Sequence, residues 1–219
     1  MKRFFIFLFI LICIKGMAQT DSCHFFLDQA EKVFEERKFK NKSKDILYFT
    51  NKALVCDSLN SRANYINAVC YCITAKQDRL DSSFMYINRA LKSKPLCDTL
   101  IAFKGFLFSL RFKFNEAIQE MNKAIKINPC YSHYYRRSGF YSEVNMYDSA
   151  LNDINMAIVL LLNEKYLTED QMTLIRIFYL YRGDIFLNKK QKKEACEDWY
   201  TALKMGDEYA ELRIKENCK

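Results

Sequence analysis

Residues 98–129 read DTLIAFKGFLFSLRFKFNEAIQEMNKAIKINP, and this stretch decides the fold. Gly105 is followed by Ala117 twelve residues later. Ala124 comes after seven more residues, and Pro129 after a further five. Small residues at these spacings allow paired helices to approach closely, and a proline ends a helix. The stretch therefore predicts two packed helices joined by a short turn.

The same spacing recurs on both sides of this stretch. Upstream, Ser83, Ala90 and Pro95 keep the spacings of seven and five residues, and Tyr71 stands at the glycine position. A degenerate first copy has Ala53 as its late alanine. Two copies follow downstream, and the first of them is expected to have a turn one residue shorter. Their signature residues are Gly139, Ala150 and Ala157 in the first, and Gly183, Ala195, Trp199 and Ala202 in the second.

These copies resemble the tetratricopeptide repeat, a helix-turn-helix unit of about 34 residues. The resemblance implies an all-α fold, a right-handed superhelical solenoid of about five repeats with a C-terminal capping helix. Tyr71 in place of glycine, Leu162 in place of proline and the inserted residues 163–168 depart from the family pattern. We expect one solenoid domain over residues 19–219. Its repeats are expected at about 22–57, 62–95, 98–129, 131–162 and 169–206, and its capping helix at 207–217.

The composition agrees with a helical protein. The 219 residues are 50% hydrophobic and 27% charged, with only five glycines and two prolines. This balance argues against a disordered chain, a collagen-like chain and a turn-rich β-sandwich. Thr168, followed three residues later by Gln171, is a capping-box pattern and predicts that a helix begins there.

The first 18 residues have the pattern of a secretory signal peptide. Lys2 and Arg3 precede an apolar run that ends at Ile14, and small residues lead to a cleavage site after Ala18. The apolar run is about 16 Å long as a helix, too short to cross a hydrocarbon core of about 30 Å. Removal of this segment lowers the formal charge from +8 to +5, because it contains Lys15 as well and no acid.

Export would place the cysteines in a compartment that permits disulfide bonds. Nine are present, and Cys13 would leave with the signal peptide. Residues at equal distances from the turn of a helical hairpin lie side by side, which predicts three bonds. The alternative is that these cysteines are buried free thiols. The predicted pairs are Cys23 with Cys56, Cys97 with Cys130, and Cys196 with Cys218.

Catalytic and metal-binding patterns are missing from the sequence. It has no glycine-rich phosphate loop, no Gly-x-Ser-x-Gly motif and no His-Glu-x-x-His motif. The two histidines, His24 and His133, are far apart, and Cys70 and Cys72 do not form a Cys-x-x-Cys motif. The lysines at 189–193 are interpreted as a solvated turn. We therefore expect no enzyme, no cofactor, no metal and no nucleic-acid partner.

The resemblance also implies a binding surface. In this family the first helix of each repeat lines a concave groove, and a bound peptide or protein lies there. The apolar residues among those expected to face the groove could instead pack against neighbouring repeats. Ala102 and Phe106 stand where the family's carboxylate clamp for cytosolic chaperones has Lys and Asn, which disfavours that partner. The residues expected to face the groove are Tyr65, Thr99, Phe106, His133, Arg136, Phe140, Glu143 and Asp184.

The sequence thus favours a non-enzymatic scaffold of the bacterial envelope, periplasmic or secreted, with no membrane span after signal cleavage. Its partner would be a protein or peptide bound in the groove. An alternative is an accessory or chaperone subunit that docks an envelope enzyme or secretion complex through convex or end surfaces. A thiol redox protein that uses Cys70 and Cys72 is a third hypothesis.

Overall fold

The structure is a computed structural model that describes residues 23–34, 39–73 and 77–218. The expected signal peptide lies outside these residues. Within them the chain forms eleven helices and no strand. The helices are α1 (23–34), α2 (Phe39–Cys56), α3 (Ser61–Ile73), α4 (Gln77–Ser93), α5 (Asp98–Ser109), α6 (Phe114–Ile127), α7 (Tyr131–Glu143), α8 (Tyr147–Leu162), α9 (Glu169–Asn188), α10 (Lys192–Lys204) and α11 (Glu208–Asn217).

The chain separates into two compact units, with the division between Phe103 and Lys104 inside α5. In the first unit, α3 packs against both α2 and α4. In the second unit each helix from α6 to α11 packs against the next along the chain. The core of the second unit is centred on α8 and α9, where Ile154, Leu161 and Phe178 are fully buried. The single domain expected over residues 19–219 stays a prediction.

The three turns between paired helices of the second unit share one geometry. In each turn, the second residue before the next helix has a left-handed backbone. A backbone amide then bonds to the carbonyl five residues earlier and closes the turn. The left-handed residues are Phe112 (φ 57°), Asn145 (φ 59°) and Lys190 (φ 64°). The closing bonds are Lys113 N to Phe108 O (3.1 Å), Met146 N to Tyr141 O (2.9 Å) and Gln191 N to Phe186 O (2.9 Å).

This common turn corrects the register of the fourth repeat. The turn before α8 is not one residue shorter, so the residue twelve positions before Ala150 is Ser138 and not Gly139. Ser138 is fully buried, and its hydroxyl donates to the carbonyl oxygen of Ala150 at 2.9 Å. In the neighbouring hairpins, glycines approach the corresponding carbonyls. Serine can stand at this position because its hydroxyl donates a hydrogen bond to the carbonyl oxygen that lies close to it.

The glycine positions of the other two hairpins are sites of close helix contact. A β-carbon on Gly183 would lie 2.5 Å from Nε1 of Trp199 and 3.1 Å from the carbonyl oxygen of Ala195. A β-carbon on Gly105 would lie 3.2 Å from the carbonyl oxygen of Ala117. The alanines of the repeat signature are buried as well, and so is the Trp199 indole. The fully buried members are Ala90, Ala117, Ala124, Ala150, Ala157, Ala195, Trp199 and Ala202.

Alanine substitutions at two glycines test this register. Gly183→Ala places a β-carbon of α9 in the space of the Trp199 indole and forces the indole away, and we expect a loss of about 1–3 kcal/mol in the free energy of unfolding. Gly139→Ala is the control, because its β-carbon would meet only the Tyr181 hydroxyl, at 3.9 Å. Replacing a helical glycine in open space should give a gain of about 0.5–1 kcal/mol. Urea unfolding measures both, and equal effects would contradict the revised register.

A second repeated contact joins three helices through one arginine. Arg182 of α9 makes two bonds to Asp198 of α10, from Nε to Oδ2 and from Nη2 to Oδ1, both 2.7 Å long. Its Nη1 donates to Oδ1 of Asn155 on α8 at 2.7 Å. The guanidinium lies 5.0 Å from the ring centroid of Tyr179 and 6.0 Å from that of Phe186. We call this arrangement the guanidinium clasp.

The same clasp occurs one repeat earlier. Arg137 of α7 bonds to Asp153 of α8 at 2.6 and 2.7 Å, and its Nη1 donates to Asn122 of α6 at 2.6 Å. Its guanidinium lies 5.6 Å from the rings of both Tyr134 and Tyr141. Each clasp therefore joins the two helices of its own hairpin and the second helix of the preceding one.

Burial of these ion pairs raises the cost of breaking them. Only 21% of the Arg182 side chain and 8% of the Asp198 side chain are exposed. Burial alone would lower the pKa of Arg182, but the hydrogen bonds and charge of Asp198 outweigh it and raise that pKa. The arginine therefore stays charged, and it needs the carboxylate beside it.

Removal of one clasp carboxylate should cost far more than loss of a surface pair. Asp198→Ala leaves a buried cation without its partner, and we expect a loss of about 3–5 kcal/mol. Lys189→Ala is the control, because it breaks an exposed pair with Asp148 and should cost less than about 1 kcal/mol. Urea unfolding compares the two, and similar losses would show that the clasp contributes little.

Two of the three predicted disulfide bonds are present. Cys196 and Cys218 are bonded with 5.8 Å between their Cα atoms, which ties α11 to α10. Cys23 and Cys56 are bonded with 6.3 Å between their Cα atoms, which ties α1 to α2. Each bond restricts the unfolded chain and can stabilise the fold by about 2–4 kcal/mol.

The third predicted disulfide, between Cys97 and Cys130, is wrong, because both residues are free thiols. The chain leaves α6 at Asn128 with extended backbone (φ −140°, ψ 100°). Cys130 is then the N-cap residue of α7, so it belongs to the next hairpin. Its sulfur lies 3.2 Å from the Ser132 hydroxyl.

Helix caps fix the start of α9 and the start of α11. At the start of α9, the Thr168 hydroxyl accepts from Gln171 N at 3.2 Å, and the Gln171 side chain accepts from Thr168 N at 2.9 Å. This confirms the capping box. At the start of α11, Asp207 accepts from Tyr209 N at 3.0 Å. The predicted capping helix is therefore present, one residue shorter at its start.

Candidate functional site

A pocket of about 330 Å³ lies beside α7 in the second unit. Its wall is formed by four residues from the middle of α7, one from α9 and two from the ends of α5 and α6, with Glu143 at the end of α7. We call it the α7 pocket. Its lining residues are Ser109, Phe114, Tyr135, Arg136, Gly139, Phe140, Glu143 and Tyr181.

Three residues that the resemblance placed in the groove meet at this pocket. Arg136, Phe140 and Glu143 line it together, since they lie four and three residues apart on α7. Phe106 lies next to it, with its ring centroid 5.8 Å from the Arg136 guanidinium. Three residues expected on the groove face of this repeat therefore line one pocket.

The other residues expected in the groove lie elsewhere. His133 is 6% exposed and belongs to the interior. Asp184 accepts from Arg213 of α11 at 2.6 and 2.9 Å and from Trp199 Nε1 at 3.1 Å, so it holds the capping helix. In the first unit, the Tyr65 ring packs edge-on against Phe103 at 5.5 Å. Thr99 is exposed near the start of α5.

Aromatic packing holds the far wall of the α7 pocket in place. The Tyr135 ring stacks on Phe178 at 4.7 Å and meets the Tyr181 ring edge-on at 5.8 Å. The Tyr181 hydroxyl bonds to the Ser142 hydroxyl at 3.0 Å. Burial raises the pKa of both Tyr135 and Tyr181, so their hydroxyls stay neutral. The wall is therefore aromatic, uncharged and already formed.

Two opposite charges lie on the rim of this pocket. Arg136 and Glu143 are both exposed and are seven residues apart on α7. Seven residues are two helical turns, so their backbones are about 10.5 Å apart along the helix. The Arg136 guanidinium is held over the Phe106 ring, which fixes the positive end of the rim.

Gly139 opens the floor of the α7 pocket. A glycine inside a helix destabilises it by about 0.5–1 kcal/mol relative to alanine. Ser138, and not Gly139, makes the close contact with α8. A β-carbon on Gly139 would point into open space, with only the Tyr181 hydroxyl within 4 Å. No packing contact explains this glycine, and the space that it leaves open is the pocket.

Phe112 extends the apolar surface of the pocket. Its ring meets Phe114 edge-on at 6.2 Å, and Phe114 lines the pocket. Phe112 is 84% exposed and has a φ of 57°, which is uncommon for a bulky residue. Asn145 occupies the same position in the next turn. A ring kept in a strained and solvated place is consistent with a binding role.

Exchanging these two turn residues tests the strain. We expect Phe112→Asn to raise the free energy of unfolding by about 1 kcal/mol, because asparagine tolerates left-handed backbone. Asn145→Phe is the reciprocal control. Asn145→Phe should lower the free energy of unfolding by at least the same amount, since it also removes the 2.6 Å hydrogen bond from the Tyr147 hydroxyl to Asn145. Thermal unfolding measures both, and an unchanged midpoint for Phe112→Asn would contradict the strain.

The cysteines of the redox hypothesis are buried in the first unit. Cys70 is 1% exposed and Cys72 is 8% exposed. Burial raises the pKa of Cys70 to about 12 and also raises that of Cys72. Reactive thiols need the opposite, a lowered pKa and access to solvent. These two side chains are therefore core residues, and the geometry argues against a thiol redox role.

Thiol labelling can separate these core cysteines from the exposed ones. In the native protein at pH 8, Ellman's reagent should react with Cys97 and Cys130, which are partly exposed. Cys70 and Cys72 should react only after unfolding, because their thiols stay protonated and covered. Mass spectrometry of the labelled peptides assigns each site. Rapid labelling of Cys72 in the folded protein would restore the redox hypothesis.

The described part of the chain forms neither a metal-binding cluster nor a membrane-spanning helix. There, no three or more His, Cys, Asp or Glu side chains come together in a way that could hold a metal ion. Among the same residues, every helix is too short or too polar to cross a membrane.

Comparison with models of protein families gives no match, and comparison with curated proteins gives none either. Solved structures do match. YrrB, described as a TPR protein with an unusual peptide-binding site, has a TM-score of 0.65 at 16% identity, over 87% of this chain and 90% of that one. The chain has the tetratricopeptide repeat fold.

Two further structures agree with this fold. MamA from Desulfovibrio magneticus RS-1, from residue 41 to its end, has a TM-score of 0.69 at 11% identity. That match covers 84% of this chain and 95% of MamA. PilF of Pseudomonas aeruginosa has a TM-score of 0.68 at 11% identity, over 87% of this chain and 79% of PilF.

Proposed function

We propose that this protein is a non-enzymatic interaction scaffold that binds a peptide or protein segment in the α7 pocket. Gly139 carries this proposal, because it opens the pocket at a cost to the helix and makes no packing contact. The preformed aromatic wall and the opposite charges of Arg136 and Glu143 suit a peptide, which offers both apolar and charged side chains. The YrrB description, a TPR protein with a peptide-binding site, supports the same use of the fold.

Export to the bacterial envelope is part of this proposal. The pattern of residues 1–18 supports it. The bonds Cys23–Cys56 and Cys196–Cys218 also support it, since disulfides persist in oxidising compartments. The partner is then an envelope or secreted protein.

Blocking the α7 pocket tests the proposal. Gly139→Leu places a branched side chain in the pocket, and its β-carbon would contact only the Tyr181 hydroxyl, at 3.9 Å. Affinity capture from an envelope extract should recover a protein with the wild type and lose it, at least tenfold, with this variant. Gly139→Ala is the matched control and should keep most of the capture.

Circular dichroism must show that Gly139→Leu keeps its helix content and thermal midpoint. A partner retained by the folded Gly139→Leu variant would overturn binding in the pocket. Docking through α8 is a second candidate, because Met156 and Val159 are exposed there at 42% and 49%. If the double variant Met156→Glu, Val159→Glu loses the partner while Gly139→Leu keeps it, docking through α8 is favoured.

A further inference from the structure

We propose that the α7 pocket selects an extended segment in which one large apolar side chain lies between an acidic and a basic side chain, each two residues away. This inference rests on the proposed function and specifies its ligand. It follows from three properties of the site, namely its size, its charges and the spacing of those charges.

The size of the pocket indicates one side chain. Ligand pockets range from about 300 to 1,000 Å³, and this one, at about 330 Å³, is at the lower end. Phe114, Phe140 and Tyr181 surround the space with rings. Aromatic and large aliphatic side chains gain most from such walls, since ring pairs add to the area that is buried. The Gly139 floor lets the side chain reach the backbone of α7.

The rim charges indicate what lies on each side of this anchor. Arg136 is held over Phe106 and faces one end of the pocket, where an acidic side chain of the ligand can pair with it. Glu143 lies two turns further along α7 and favours a basic side chain. A ligand with one charge sign throughout would be attracted at one end and repelled at the other. This disfavours a polyphosphate or a purely acidic peptide.

The spacing follows from the geometry of an extended chain. Alternate side chains of such a chain point the same way, so positions p, p+2 and p+4 can all face α7. Positions p and p+4 are about 13 Å apart, compared with about 10.5 Å between Arg136 and Glu143. The long side chains of Arg136 and Glu143 can cover the difference between these two distances. The ligand therefore has the pattern acid-x-aromatic-x-base, or its reverse if the chain runs the other way.

Fluorescence anisotropy with labelled peptides tests this pattern. The probes are Glu-Ser-Phe-Ser-Lys, Glu-Ser-Phe-Ser-Glu, Lys-Ser-Phe-Ser-Lys and the shifted Glu-Phe-Ser-Ser-Lys, each with blocked ends. The wild type should bind the first probe about tenfold more tightly than the two like-charged probes. The shifted probe should also bind weakly, because its ring points away when its charges face the rim.

Charge variants make the assignment specific and do not depend on the direction of the peptide. Arg136→Glu makes both rim positions acidic and should change the preference to Lys-Ser-Phe-Ser-Lys. Glu143→Lys makes both basic and should change it to Glu-Ser-Phe-Ser-Glu. Lys126→Glu, at an exposed site on α6 outside the pocket, has the same change of charge as Arg136→Glu and should leave the order unchanged.

The outcomes separate this inference from the proposed function. If phenylalanine probes bind without any charge preference and Gly139→Leu abolishes binding, the pocket is a peptide site and the charge pattern is overturned. If no probe binds the wild type at millimolar concentration, this inference fails even where capture of a partner succeeds. If Gly139→Leu also keeps that partner, the proposed function fails with it.

Discussion

The close approach of paired helices at one position is the constraint on which the rest of the second unit depends. At Gly183 the indole of Trp199 and a carbonyl of α10 occupy the space of a side chain. At Ser138 a buried hydroxyl bonds to the corresponding carbonyl. Glycine and serine thus solve one steric problem in two ways. The small residue sets the distance between the helices, and the turn of fixed geometry sets their register.

The guanidinium clasp depends on that distance. Arg137 and Arg182 each directly precede the small residue, so the close approach brings them within bonding distance of an aspartate on the second helix. Two aromatic rings lie within about 6 Å of each guanidinium, and each ion pair is largely buried. The clasp also contacts the preceding hairpin, and for this reason the same residues stabilise a repeat and its connection to the previous one.

The sequence predicted the fold and part of the site. Signature spacings such as Ala117 to Ala124 are local, and they predicted the paired helices. The two disulfides that are present were predicted from cysteines at equal distances from a turn. Gly139 was misplaced because a glycine one position off register resembles the signature more than Ser138 does. The Cys97–Cys130 bond is absent: both thiols are free, and Cys130 is the N-cap residue of α7 in the next hairpin. Arg136, Phe140 and Glu143 were expected from the resemblance to the repeat family, whereas Tyr181 comes from another repeat, and no local pattern connects it to them.

The clasp has a consequence for the number of repeats. Asn122 and Asn155 each accept a bond from the arginine of the next hairpin. The equivalent position in α10 is Tyr200, which lacks that amide oxygen. A gene duplication of residues 131–162 would carry both halves of the clasp and could lengthen the array. A duplication of residues 169–206 would place an arginine against Tyr200, so the added hairpin would lack the clasp bond to the hairpin before it.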